Sequence, residues 1–337
     1  MIKKVLLLWL FTLVLVSCKK NDSAEVIPEG RELSNIILRD YFITSIAFDK
    51  KGNAWLGTLE QGLIKYDGKT AKIFDSSNSV ITGAAIRDIE VDKADNVWIG
   101  SDDLLKYDGT KFSRYEAKQF GFPKNAVRSI AIDANENIWF SCSSYRSGGL
   151  VKYDGSTFKT FNVANSKLPG NMVESIVVDK SNYVWVAMND GVADVSLARI
   201  GPDNTISVVG SKELGFTPYY FSNIVVNKDN ELLASISYGL SSTIAPGRPQ
   251  IFKFNGSKAQ IVNLPDDNTL IYSTHCIFSD KNGNLWASFS GVDKECGIFN
   301  GKDWTFPKLG TSGIFVFAEN PNGEIWLGTG EGLYILK

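Results

Sequence analysis

The chain has 337 residues, of which 44% are hydrophobic and 12% aromatic, with 35 basic against 37 acidic side chains. That length suits one large domain or two medium ones. The near-balance of charge excludes nucleic acid as a partner, because phosphate-backbone binding needs a basic excess or stripe.

The first elements form a leader. Lys3 and Lys4 precede the apolar run "VLLLWLFTLVLV", twelve residues long. A bilayer-spanning helix needs about 20 such residues, so the run has the length of a secretory signal core. Leu15-Val16-Ser17-Cys18 follows and resembles a bacterial lipobox. The resemblance implies cleavage after residue 17 and lipid modification of Cys18, with "SCKKND" similar to lipoproteins of Bacteroidota. Lys19 beside the lipidated cysteine implies export to the outer membrane, facing periplasm or exterior. Acyl chains on one cysteine would be the membrane contact, each buried methylene contributing about 0.8 kcal/mol. Residues 18–33 are polar and aperiodic and are expected to be a flexible tether, which leaves 34–337 for the folded domain.

From there a period takes over. "DKKGNAWLGT" at Asp49 returns as "DKADNVWIGS" at Asp92, "DANENIWFSC" at Asp133, "DKSNYVWVAM" at Asp179 and "DKNGNLWASF" at Asp280. "NKDNELLASI" at Asn227 and "NPNGEIWLGT" at Asn320 are looser copies, and the seven markers stand 40 to 53 residues apart. That is the period of a propeller or solenoid. Each repeat offers four short runs rich in Ile, Val, Phe, Tyr and Trp with no helical spacing, so the expected fold is all-β, a propeller of seven four-stranded blades. The marker Asp accepts from turn N–H groups, and Trp55, Trp98, Trp139, Trp185, Trp286 and Trp326 are expected to be wedges between blades. The "YDG" and "FNG" steps predict type I′ hairpins. The last repeat supplies three strands, so Asn35 to Asp40 is expected to add the fourth and close the ring.

"SIAFDKKGNAWLGTLEQGLIKYDG" and "SIAIDANENIWFSC…GGLVKYDG" resemble two-component regulator propeller repeats. The resemblance implies a ligand-sensing extracytoplasmic propeller of the kind found in hybrid histidine-kinase systems. No kinase or linker region follows the repeats, so phosphotransfer is not expected of this chain.

Inner-strand starts and the loops between second and third strands should share one mouth of the central channel. Five positions before each marker stand Thr44, Arg87, Arg128, Glu174, Ser222, His275 and Phe315. The loops add Asp102, Tyr145, Arg146, Asn189 and Tyr238, and the inter-blade connections add Phe122, Tyr219 and Tyr220. Arg87, Arg128, Glu174, Tyr145, Arg146, Tyr219, Tyr220, Tyr238 and His275 are the candidate ligand-binding residues. Rings that stack on sugar C–H groups, beside side chains that satisfy hydroxyls, suit a glycan or another small ligand. The plainer reading makes these solvated loop tips, with Arg87, Arg128 and Glu174 in internal ion pairs. A protein-binding scaffold of an envelope complex is the alternative function. A magnesium-dependent lyase or hydrolase using His275 and Glu174 stands third, because a single histidine rules out a His-pair metal site or double-His acid/base scheme. No motif calls for a cofactor or a metal: the turns lack EF-hand ligand spacing, and no phosphate loop or nucleophile elbow occurs. Cys142, Cys276 and Cys296 remain once Cys18 is set aside; Cys276 and Cys296 fall on non-adjacent strands and are expected to be buried thiols.

Overall fold

A computed structural model describes residues 25–26, 36–83, 85–122, 126–142, 148–189, 196–218, 220–237, 250–264, 271–291, 295–307, 309–311 and 313–336. Its strands form seven antiparallel sheets among the described residues. Blade 1 is built from Ile43–Phe48, Ala54–Thr58, Leu63–Tyr66 and Thr70–Phe74. Blades 2 to 6 repeat that meander, starting at Asp88, Ile130, Val173, Tyr220 and Ile271. Blade 7 takes Ile314–Glu319, Ile325–Thr329 and Leu333–Leu336 from the end of the sequence and Ile36–Ile37 from its beginning. Ile36 pairs with Tyr334 and Ile37 with Leu333, so the expected N-terminal closure is the observed one. The leader and Cys18 lie outside the described residues. Of the segment expected to be a tether, Glu25–Val26 runs antiparallel to Thr70–Ala71 as a fifth strand on blade 1.

The repeated Asp organises each inner hairpin. Asp133 Oδ1 accepts from the backbone N–H of Asn135 at 2.9 Å and of Asn137 at 3.0 Å. Its Oδ2 accepts from Asn137 Nδ2 at 2.7 Å and from Trp139 Nε1 at 2.9 Å. Asp49, Asp92 and Asp280 hold the same asparagine and tryptophan partners, and Asp179 reaches Trp185 with Tyr183 in place of asparagine. One carboxylate thus closes the turn and holds the indole that packs on the next blade. Each wedge sits in a cluster with the following blade: Trp55 with Ile89 and Ile99, Trp139 with Ile176 and Val186, Trp326 with Ile46 and Leu56. Burial raises the Asp49 and Asp92 carboxyls, but donors from Asn53 and Trp55, or from Asn96 and Trp98, outweigh it and leave both below the usual range.

Two blades depart from this device in different ways. In blade 5 the marker is Asn227 and the tryptophan is Leu233; in blade 7 the marker is Asn320 and Trp326 is kept. Asn320 turns its amide toward Glu324 Oε2 at 2.7 Å, and buried Trp326 Nε1 has no partner among the described residues. A buried donor left unmade costs about 1–3 kcal/mol. The double variant Asn320→Asp/Glu324→Asn restores the arrangement of blade 3 and is expected to raise the melting temperature. Asn320→Asp alone sets two carboxylates together and is expected to lower it. If the double variant melts no higher than the parent in a calorimetric scan, the account of this turn fails.

The second turns correct an expectation. Type I′ needs positive φ at both central residues, but only the glycine has it, as at Gly68 with φ 94. Asp67 instead accepts from the N–H groups of Lys69 and Thr70 at 2.9 and 2.7 Å, which builds a longer Asx-type turn. The three cysteines are thiols, with Cys276 bonded to Ser288 Oγ on the intervening strand.

Candidate functional site

The inner strands surround a channel of about 410 Å³. All seven residues five positions before the markers line it: Thr44, Arg87, Arg128, Glu174, Ser222, His275 and Phe315. They meet because most inner strands carry a register shift at their start, as between Ile43 and Ser45 or Val173 and Ser175. The extra residue at such a bulge turns its side chain away from the pleat, here into the channel mouth.

One layer deeper, the next residues clasp neighbouring blades. Asp88 Oδ2 accepts from Ile130 N–H at 2.7 Å, Ser129 Oγ from Ile176 N–H at 3.0 Å, Ser175 Oγ from Ile224 N–H at 3.2 Å and Asn223 Oδ1 from Ile277 N–H at 3.1 Å. The clasps run from blade 2 to blade 6; blade 7 has Val316 at this place, and blade 1 leaves its own clasp unmade. Asp88 Oδ1 takes the N–H of its own neighbour Ile89 at 2.9 Å, and Ser45 Oγ is buried without a partner among the described residues.

The mouth has two unlike halves. Across blades 2 to 5 it is charged and polar. The Arg87 guanidinium reaches Asp102 at 3.3 Å, and the Arg128 guanidinium reaches Glu174 of the next blade at 3.5 Å. Tyr220 adds a hydrogen bond to Glu174. Burial pushes the Glu174 carboxyl above its ordinary value against the opposing pull of Arg128 and Tyr220. Burial, reinforced by Glu174, likewise raises the Tyr220 phenol, although 39% of this residue is exposed. Across blades 6, 7 and 1 the mouth is aromatic. Phe42 and Phe315 meet at 4.4 Å between ring centroids, and His275 lies 6.2 Å from Phe315. Burial lowers the His275 pKa, and His275 has no hydrogen bond or ion pair among the described residues.

Of the candidates read in the sequence, Arg87, Arg128, Glu174, Tyr220 and His275 are placed at or beside this mouth, while Tyr145, Arg146, Tyr219 and Tyr238 lie outside the described residues. The internal pairs Arg87–Asp102 and Arg128–Glu174 exist as the plainer reading required. Two expectations are corrected. Phe122 is buried against Phe120 in the contact between blades 2 and 3, because a loop aromatic next to an apolar seam is drawn into it. Asn189 is buried and exchanges two hydrogen bonds with the backbone of Phe221, at 2.8 and 2.9 Å, so it joins blades 4 and 5 and does not line the mouth.

Two residues were missed. Phe42 stands seven positions before Asp49, as Tyr220 does before Asn227, but the other blades place Ala85, Ala126, Met172, Ser273 and Gly313 there, so the repeat drew no attention to it. Glu90 did carry one: it stands two residues before Asp92, where the other blades place Ala47, Ala131, Val177, Val225, Phe278 and Ala318. It lines the channel below the mouth without an ion pair or hydrogen bond among the described residues. Burial, with Asp88 adding repulsion, raises the Glu90 carboxyl far above its usual range, and burial raises Asp88 too.

Among the described residues no group of three or more His, Cys, Asp or Glu side chains could hold a metal ion. The arrangement offers a half-apolar rim, a donor–acceptor cluster and a lone imidazole.

Comparison with known proteins places the fold. The family model described as two component regulator propeller matches residues 37–60. A search of curated proteins finds none that matches. Among solved structures, the extracellular domain of the putative hybrid two component system BT4673 from B. thetaiotaomicron superposes with a TM-score of 0.66 at 19% identity, over 94% of this chain and 40% of that one. Virginiamycin B lyase from Staphylococcus aureus superposes at 0.65 and 16% identity, over 89% and 95% of the two chains. PorZ, a surface component of the type-IX secretion system of Porphyromonas gingivalis, superposes at 0.60 and 13% identity, over 88% and 46%. The chain therefore spans less than half of the sensor it resembles. At these identities the likeness concerns the fold. A seven-bladed propeller whose residues 37–60 match the two component regulator propeller family is what sequence, structure and comparison jointly establish.

Proposed function

We propose that the protein is an extracytoplasmic, non-catalytic binding module that takes a glycan or similar small ligand at the channel mouth. The observation that carries this reading is the division of the mouth into the aromatic half of Phe42 and Phe315 and the polar half of Arg128, Glu174 and Tyr220. A pyranose has the matching division: C–H faces that stack on rings and hydroxyls that need both donors and acceptors. His275 has no carboxylate to orient it among the described residues, which weighs against the acid/base role that a lyase reading requires. In this reading Cys18 carries the lipid that holds the module at the cell envelope, and residues 18–33 are the tether.

The test is a thermal-shift screen of the folded domain against an oligosaccharide panel, with and without magnesium. A ligand at about 100 times its dissociation constant stabilises by about 2.7 kcal/mol, a shift of several degrees. The shift is expected to be sugar-specific, indifferent to magnesium, and lost in Arg128→Ala and in Phe315→Ala. A flat panel would sink the glycan reading and favour an envelope-protein partner, which cross-linking in intact cells would then identify.

A further inference from the structure

Six of the seven blades insert a tryptophan into the seam with the next blade, and blade 5 does not. Its residue at that position is Leu233, and a groove of about 350 Å³ opens between blades 5 and 6 beside it. Leu233, Val262 and Leu285 line the groove together with Phe299, Glu231 and Lys253.

Each wall has a counterpart in the seams where an indole is present. On the same blade, Trp55 stacks on Phe74 and Trp139 on Phe161, at 6.0 and 5.7 Å between centroids. Blade 5 holds Val262 at that strand end, so both rings of the stack are missing from one place. On the next blade, the residue that ends the third strand meets the indole: Tyr107 meets Trp55 at 5.6 Å, Tyr153 meets Trp98 at 6.0 Å and Phe254 meets Trp185 at 6.0 Å. Phe299 ends the third strand of blade 6 and faces the groove. Above the indole stands a cation from the neighbouring strand: Lys65, Lys106 and Lys152 lie 5.0, 5.1 and 5.0 Å from the ring centres of Trp55, Trp98 and Trp139. Lys253 keeps that cation in blade 5, paired with Leu233 across the strands, and reaches Glu231 at 3.7 Å.

The acceptor has also changed. Where Asp133 takes the indole N–H, Asn227 spends Oδ1 on the N–H groups of Asp229 and Glu231 and donates Nδ2 to Glu231 Oε2 at 3.0 Å. The carboxylate of this turn has therefore moved to Glu231, on the groove wall. Glu324 holds the same place in blade 7 and leaves the indole N–H unreceived, so the parts retained around the place that the chain leaves unfilled are the aromatic edge and the cation.

We propose that this groove binds a small ligand carrying a planar aromatic ring of indole size. The ring lies against Leu233 and Val262, meets Phe299, and takes Lys253 over its face. The site is on the outer side of a blade seam and is independent of the channel mouth.

Indole itself is the probe, titrated into the whole folded domain and followed by saturation-transfer NMR. Saturable binding is expected, weakened by at least about tenfold in Leu233→Trp, which puts the chain's own ring into the groove. Val262→Phe, which restores the second ring as in blades 1 and 3, is expected to weaken it likewise and guards against misfolding of the first variant. Lys253→Ala is expected to weaken binding while leaving the fold intact by circular dichroism. Absence of saturable binding, or equal binding by the parent and both filled variants, would overturn the proposal.

Discussion

Trp139→Ala is expected to lower stability by about 3–5 kcal/mol, read as a fall in the urea midpoint at unchanged slope. Trp139 is 1% exposed, stacks on Phe161, lies under Lys152 and donates to Asp133. Alanine would remove the ring from the seam between blades 3 and 4 and take one of the donors from a buried carboxylate. Leu233→Ala at the equivalent place in blade 5 is expected to cost less, because that seam already stands partly open. A loss below about 1 kcal/mol for Trp139→Ala would contradict the wedge account, since full burial of so large a side chain contributes more than that. Asp133→Asn separates the two roles of the carboxylate. It keeps the turn acceptor but sets an amide against the indole N–H, as Asn320 does in blade 7.

The second large effect concerns pH. Asp88 and Glu90 both have raised carboxyls in the folded protein. Between the ordinary carboxylate range, about pH 4, and neutrality, the folded state therefore binds more protons than the unfolded one. Their contribution to stability is full below that range and declines as pH rises through the raised values. Asp49 and Asp92 have the opposite sign: their lowered carboxyls stabilise above the ordinary range and lose that contribution in acid. Glu90→Val, which copies blades 4 and 5, is expected to stabilise by about 1–3 kcal/mol at pH 8 and by little at pH 5. Denaturant midpoints of parent and variant across that range decide it. Parallel curves would show that Glu90 is not protonated on folding. The arginines that share the channel are engaged at the mouth, Arg87 by Asp102 and Arg128 by Glu174.

The blades were legible in the sequence because their rules are local. A marker Asp four residues before Asn and six before Trp specifies a turn, its acceptor and its wedge within one segment, and the structure keeps each partner. Ring closure was legible as well, since the incomplete last repeat implied a strand from elsewhere. The mouth was only half legible. Register placed Thr44, Arg87, Arg128, Glu174, Ser222, His275 and Phe315 in one layer, because a repeated bulge acts alike in most blades. Loop placement was not readable: which acid receives Arg87, and whether Phe122 faces solvent or a seam, depends on loops whose lengths differ between repeats. The groove beside Leu233 had a clear sign, one tryptophan missing from a set of seven. Its meaning waited on the walls, because a small residue at a wedge position could have been compensated by a larger neighbour. Val262 and Phe299 show that it was not.

The pairing of Ile36–Ile37 with Leu333–Leu336 also sets an order of events. The closing strand is made before all seven inner strands and its partner after them, so the ring stays open while the blades between are synthesised. Until then the outer edge of blade 7 and the seam between blades 7 and 1, with Trp326 and Ile46, remain unsealed. Long-range pairing of this kind makes folding slow and leaves strand edges exposed to other chains meanwhile. That interval is when a chaperone would have the most surface to hold.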